Sequence, residues 1–382
     1  MRETWRWFGE FDPISLDQVV QTGAQGIVSA LHAVPYGEVW SRDSIAKRNS
    51  EINAAGFTWD VVESLPVHED IKRGTGDLAG LFANYRQSLA NLAAEGIQTV
   101  CYNFMPILDW TRTDLGAEVA GGGTCLHFAA SKMAAFEIHM LKREGAREEY
   151  AADAVAAGDA WFAQANDQDC AELLHSVMAG LPGAFDRYDV PGLRDVLKTY
   201  DGIAHDDLRA NLVRFLSEVI PAAAELGISM CIHPDDPPRD ILGLPRIVSS
   251  QDDIDKILKA IDEHANGLTL CTGSLGAGPR NNPEAIARAF SDRIHFAHLR
   301  NVTKSPDGSF SEAAHLSGDV DLVAVIAELL AAEKRRGVDI PFRPDHGHAL
   351  LSDHNTETQP GYTLIGRLRG LAELRGVICA LK

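Results

Sequence analysis

The chain has 382 residues and is 45% hydrophobic, enough for one large barrel or two ordinary domains. Its 54 acidic residues outnumber 35 basic ones, a net charge of −19 that repels phosphate backbones and argues against nucleic acid, while leaving room for a small anion held at a local positive site. Six cysteines spread thinly along the chain (Cys101, Cys125, Cys170, Cys231, Cys271 and Cys379) make no disulfide framework, and neither an apolar signal segment after Met1 nor a membrane-length apolar run is present, so a cytoplasmic globular protein is expected.

Arg2–Phe8 is an aromatic-rich strand candidate, and a helix follows a turn and cap at Pro13-Ile14-Ser15. Gly26–Leu31 is the second strand, Ser41–Ala55 a helix stopped by Gly56, and Thr58–Ser64 the third strand. Leu78–Glu95 is amphipathic, and Ile97–Phe104 is the fourth strand. Over residues 109–206 no clear strand is legible; Gly121-Gly122-Gly123 precedes alanine-rich and acidic helical stretches, so a mostly helical insertion is expected there. The alternation then resumes with strands at Ile228–His233, Leu268–Gly273, Ile294–Arg300 and Ile340–Asp345, separated by helices and closed by a helix over Gly361–Arg375. Eight strands alternating with helices predict right-handed parallel crossovers and a closed (β/α)₈ barrel over residues 1–382, with the insertion within it. No G-x-G-x-x-G turn favours an open doubly wound sheet.

In such a barrel the strands end at the active-site mouth. Four successive strand ends carry metal-competent groups: His233, Cys271, His298 and Asp345. With the inward register they converge at similar height, and Cys231, two residues before His233, falls in the core one layer below. Two imidazoles, a thiolate and a carboxylate suit Mn²⁺, Fe²⁺, Co²⁺ or Zn²⁺ better than Mg²⁺ or Ca²⁺. Taken singly, each has a bland reading: a strand cysteine is usually a small buried hydrophobe, a strand-end histidine is more often structural, and Asp235-Asp236 reads equally as a turn. Recurrence at the same place in successive units favours the metal reading.

At these residues the sequence resembles the mannonate dehydratase family, nearly end to end. The likeness is carried by Arg6-Trp7-Phe8-Gly9-Glu10, Glu63–Lys72, Cys101–Pro106, Asp109–Thr113, Cys231–Pro238, Cys271-Thr272-Gly273-Ser274, His298–Asn301, Arg343–His348 and Pro360-Gly361-Tyr362, and departs at Gly121–His127. The resemblance implies a xylose-isomerase-like barrel, Mn²⁺ (or Fe²⁺) as cofactor, and dehydration of D-mannonate to 2-dehydro-3-deoxy-D-gluconate in hexuronate (glucuronate) breakdown. By motif position it places metal ligands at His233, Cys271, His298 and Asp345 and an acid/base pair at His346 and Tyr362.

Removing a proton α to a carboxylate needs a base, an acid for the departing hydroxyl, and a cation to spread the charge. A nearby metal is expected to lower the Tyr362 pKa and make it usable as base or relay; the sequence does not say which of His346 and Tyr362 is the acid. Arg300 is a candidate partner for the substrate carboxylate, with a surface salt bridge as the bland reading; Asn103 and Ser64 are candidates for sugar hydroxyls, and His127 and His348 for supporting contacts. Other readings are an aldose–ketose isomerase or related aldonate dehydratase on the same barrel, or a catalytically silent metal-stabilised binding protein. The partner expected is a small sugar acid, with self-association into a dimer or larger assembly.

Overall fold

Each of the eight runs read as strands forms one in the computed structural model, which describes residues 1–180 and 188–382. They are β1 (Arg2–Arg6), β2 (Gly26–Ser29), β3 (Thr58–Glu63), β4 (Thr99–Tyr102), β7 (Ser229–Ile232), β8 (Asn266–Cys271), β9 (Ile294–Leu299) and β12 (Pro341–Pro344). All pair in parallel and close in the order β1-β12-β9-β8-β7-β4-β3-β2, so each strand neighbours its predecessor in the alternation. Strands buried on both faces read as near-continuous apolar runs; β8 and β9 are buried at every position. The main core lies between barrel and helices, and a small one inside the barrel joins Val28, Val61, Cys101, Cys231 and Phe296. Cys231 thus forms part of the floor beneath the mouth, where the alternation put it. Among the described residues no helix is long and apolar enough to cross a membrane.

Residues 109–206 are not strand-free. They hold a hairpin, β5 (Asp114–Glu118) and β6 (Thr124–Phe128), besides helices such as Ala152–Gln164 and Asp167–Val177. Two further strands after β9, β10 (Asn301–Lys304) and β11 (Phe310–Ala313), complete an antiparallel sheet ordered β10-β11-β6-β5. The hairpin's turn is Gly121-Gly122-Gly123, all at positive φ (89°, 95°, 96°), which only glycine adopts without strain. Period-two patterning is weak because β5 has no buried residue and the partner of β6 lies far along the chain, with Ser311 opposite His127. This region has its own core, including Phe128, Phe136, Leu173, Leu193 and Phe310.

A pair of backbone hydrogen bonds ties the small sheet to the barrel. Thr124 exchanges backbone hydrogen bonds with Ala349 (3.1 and 2.8 Å), on the loop after β12. In that loop Gly347 donates to Gly361 O (2.8 Å), which sets His346 beside Tyr362. Gly347 is needed for close approach: a Cβ there would lie 2.6 Å from Arg367 N and 2.7 Å from Gly366 C.

Candidate active site

Strand register delivers the first group of side chains. Cys271 of β8 sits opposite His298 of β9, which sits opposite Arg343 of β12, and His233 follows the end of β7. His233, Cys271 and His298 each offer a ligand atom within 4.8 Å of the others. The His233 Nδ1–H donates to Pro234 O (2.6 Å), so its Nε2 carries the lone pair and faces His298 Nδ1 at 3.1 Å. His298 Nε2 is buried without a hydrogen-bond partner, 3.3 Å from Glu63 Oε2. The Cys271 Sγ accepts from the Ser274 hydroxyl (3.1 Å). Burial opposes ionisation of this thiol, but Arg300 and His233 outweigh it and hold Cys271 well below the ordinary cysteine range.

Two imidazole nitrogens and a thiolate aimed at one point need a positive charge between them. A proton can supply it: burial works against an imidazolium at His233, but the Cys271 thiolate wins and raises it to about 10. A soft-to-borderline divalent cation answers the same demand with better geometry, and the donor set fits one. Asp345 stands beside the trio rather than within it, its Oδ2 3.8 Å from Cys271 Sγ and 4.0 Å from His298 Nδ1. Burial resists its charge, yet Arg343, His346 and Arg300 keep Asp345 well below the usual carboxylate range.

His346 and Tyr362 face each other edge-on, ring centroids 5.3 Å apart. Both line a small cavity of about 40 Å³ with His233, Asp345 and Asp236. His346 Nδ1 lies 3.1 Å from Glu312 Oε1 and 2.7 Å from Arg300 Nη1. Arg300 has no lone pair, so its second Nη1–H donates to Nδ1 in the tautomer with the proton on Nε2; in the other tautomer Nδ1–H donates to Glu312 and Nε2 is the free base. At Tyr362 the surroundings supplied by the chain alone act upward: burial raises its pKa, Arg343 opposes and Asp345 adds to the rise, so the lowering expected of a nearby metal would work against them.

Arg300 is not at the surface. It is 1% exposed, ion-paired through Nη1 with Glu312, hydrogen-bonded through Nη2 to Asp236 (2.5 Å) and Ser274 Oγ (3.0 Å), and its Nε lies 3.1 Å from Asp345 Oδ2. Those contacts set its guanidinium in a buried network in place of a surface salt bridge. Asp235 accepts from Val248 N (2.7 Å) and Ser249 Oγ (2.8 Å), a loop-fixing role, whereas Asp236 is held bidentately by Arg112 (2.8 and 3.1 Å). Ser64 and Asn103 line the small cavity and also a larger one of about 440 Å³ that opens beside it. His348 Nε2 lies 3.1 Å from Glu312 O and His127 Nδ1 2.8 Å from Ser311 Oγ, so both brace β11.

Sequence reasoning gave no role to the shell that holds these groups. Glu63, at the end of β3, accepts from Arg343 Nε (3.0 Å) and Nη2 (2.9 Å); burial opposes its charge, but Arg343 and Arg6 keep it well below the usual range. Its signal was a carboxylate closing a strand directly after Val61 and Val62, and that of Arg343 was its place two residues before Asp345 on the same face. Glu312 and Arg112 had none. They arrive from the small sheet and the segment leading into it, and meet at 2.7 Å.

Comparisons with known proteins point to one family. The family model described as D-mannonate dehydratase (UxuA) matches residues 1–382. The mannonate dehydratase of Chromohalobacter salexigens is 51% identical over 387 aligned positions, covering 100% of this chain and 99% of that one. That of Rhizobium meliloti is 50% identical over 390, covering 100% and 97%. The crystal structure of mannonate dehydratase from Streptococcus suis serotype 2 superposes with a TM-score of 0.79 at 34% identity, covering 100% of this chain and 93% of that one. A xylose isomerase domain protein from Planctomyces limnophilus matches at TM-score 0.51 and 10% identity, a likeness of fold alone. The chain belongs to the D-mannonate dehydratase family of hydro-lyases, on a xylose-isomerase-like (β/α)₈ barrel.

Proposed function

We propose that this chain dehydrates D-mannonate to 2-dehydro-3-deoxy-D-gluconate and water, as a step in hexuronate breakdown, with His346 as base and Tyr362 as acid. The observation that carries the reading is the pairing, at one cavity, of the His233–Cys271–His298 cluster with a carboxylate-backed imidazole and a phenol. A divalent cation of the Mn²⁺ or Fe²⁺ kind, held by His233, Cys271 and His298 with Asp345 as fourth ligand, would polarise the substrate carboxylate and spread the charge left when C2 loses its proton.

The residues of the chain do the rest. His346 Nε2 takes the C2 proton, and Glu312 stabilises the imidazolium through Nδ1–H, much as a buried carboxylate orients a catalytic histidine elsewhere. The C2–H electron pair forms the C2–C3 double bond as the C3–O bond breaks. Tyr362 gives its proton to the leaving hydroxyl, which departs as water, and the phenolate draws a proton back from the facing His346 ring. The enol at C2 then shifts its proton to C3 to give the 2-keto acid. Arg343, whose Nη2 is 3.5 Å from the Tyr362 oxygen, steadies the transient phenolate. Burial of Cys101, Cys231 and Cys271 as free thiols supports placement in a reducing cytoplasm. Self-association remains part of the reading and is measured by light scattering.

The test is turnover of D-mannonate by chelator-treated protein, with and without added Mn²⁺ or Fe²⁺, following the 2-keto product. Activity that returns only with metal is expected. A folded, metal-loaded protein without activity would sink the substrate and send the search to other aldonates.

A further inference from the structure

The small cavity between the cluster and the His346–Tyr362 pair has about 40 Å³, room for little more than a water or two and for the reacting end of a sugar acid, not for a six-carbon chain. It opens into the cavity of about 440 Å³, and the two share Ser64, Asn103, Met105 and Asp109. The carbons that do not react must therefore cross this neck.

Asp109 stands at the neck with its Oδ1 buried and, among the described residues, without a hydrogen-bond partner. Its loop is pinned on both sides: Arg246 Nη1 and Nη2 donate to Leu108 O (3.0 Å each), Thr111 N donates to Asp236 O (3.1 Å), and Lys72 Nζ holds Met105 O (2.7 Å). Asp109 is thus held in place, not left in a loop free to find a partner. A buried acceptor left unsatisfied costs on the order of 1–3 kcal/mol, more when charged, and calls for a ligand that donates to it. Beyond the neck the wall alternates Trp40, Pro66 and Val34 with the polar groups of Tyr36, Asn103 and Lys72, a lining suited to the CH faces and hydroxyls of a polyol.

We propose that Asp109 is a specificity-determining residue: it accepts hydrogen bonds from the distal hydroxyls of the sugar acid, and the 440 Å³ cavity is the subsite for that polyol end. This rests on the aldonate reading above but says what that reading does not, namely how chain length is sensed.

The experiment uses the full metal-loaded chain and two probes, D-mannonate and the four-carbon aldonate of the same C2 and C3 configuration. Steady-state kinetics give kcat/KM, and titration calorimetry gives Kd independently of turnover, for wild type, Asp109→Ala and Asp109→Asn. The expected result is a six-carbon preference that narrows at least about tenfold in Asp109→Ala, with the loss falling on the six-carbon acid and mainly on KM and Kd. Asp109→Asn, which keeps an acceptor oxygen, should lie between. Equal losses on both acids, or an unchanged ratio, overturn the inference while leaving dehydration standing. An Asp109-dependent binding preference without turnover by any variant sustains the inference and overturns dehydration. Failure of the wild type to bind either acid overturns both.

Discussion

The two walls of the active-site cavity are built on opposite principles. Around the reacting groups the charges are locked to one another: Glu312 to Arg112 and Arg300, Asp236 to the same two arginines, Asp345 and Glu63 to Arg343. On the side of the larger cavity, polar groups are set among apolar ones, and Asp109 Oδ1 has no hydrogen-bond partner among the described residues. Chemistry needs fixed geometry around developing charge, which a saturated network supplies. Recognition of a flexible polyol needs acceptors and donors still open to it, and the protein bears their desolvation when the ligand is away.

Breaking the locked wall should have the largest effects. Tyr362→Phe removes the proton donor and should lower kcat by about 10²–10⁴-fold with circular dichroism and metal content unchanged. A variant retaining more than a tenth of the rate would reassign the acid. Glu312→Gln keeps the shape but loses the carboxylate behind His346; it should lower kcat by about 10–100-fold with KM little moved and alter the pH profile of kcat. A fall in metal content instead would show that Glu312 acts on the cluster.

The open wall should respond in stability rather than rate. Burial raises Asp109 from the model-compound value of 3.8 to about 6, against the pull of Lys72. Between those values the folded state binds more proton than the unfolded one, so stability is lost as pH rises through this window and the full cost is present above it. Asp109→Asn should therefore be more stable than wild type at pH 7 by about 2 kcal/mol, with the advantage gone below pH 4, as read by thermal denaturation. No gain at pH 7 would mean that Asp109 is better satisfied than its unpartnered oxygen implies. The smallest effect belongs to His127→Ala, outside both walls: it loses one hydrogen bond to Ser311, should cost about 1 kcal/mol, and should leave kcat within about twofold. A large loss of rate there would bring the small sheet into the chemistry more directly than through Glu312.

Much of the barrel and its reactive rim was legible from the sequence, because both follow local rules. Short strand-like runs with apolar centres, eight of them alternating with helices, declare a closed parallel barrel. Side chains alternate along each strand, so His233, Cys271 and His298 could be placed on one rim before any coordinates. The single glycine between His346 and His348 likewise marked a special backbone position, though the reason proved to be the approach of Arg367. Tertiary structure decided what depends on partners far apart in the chain. Only the folded barrel sets Glu63 against Arg343, and only the pairing of β6 with β11 forms the sheet that carries Glu312 to His346. It also decided that Arg300 belongs to the buried network and that burial and Asp345 push the Tyr362 phenol upward against Arg343. The physical reason is common to all four: burial and long-range ion pairing fix the charge state and the partner of a group, and neither is written in the spacing of its neighbours.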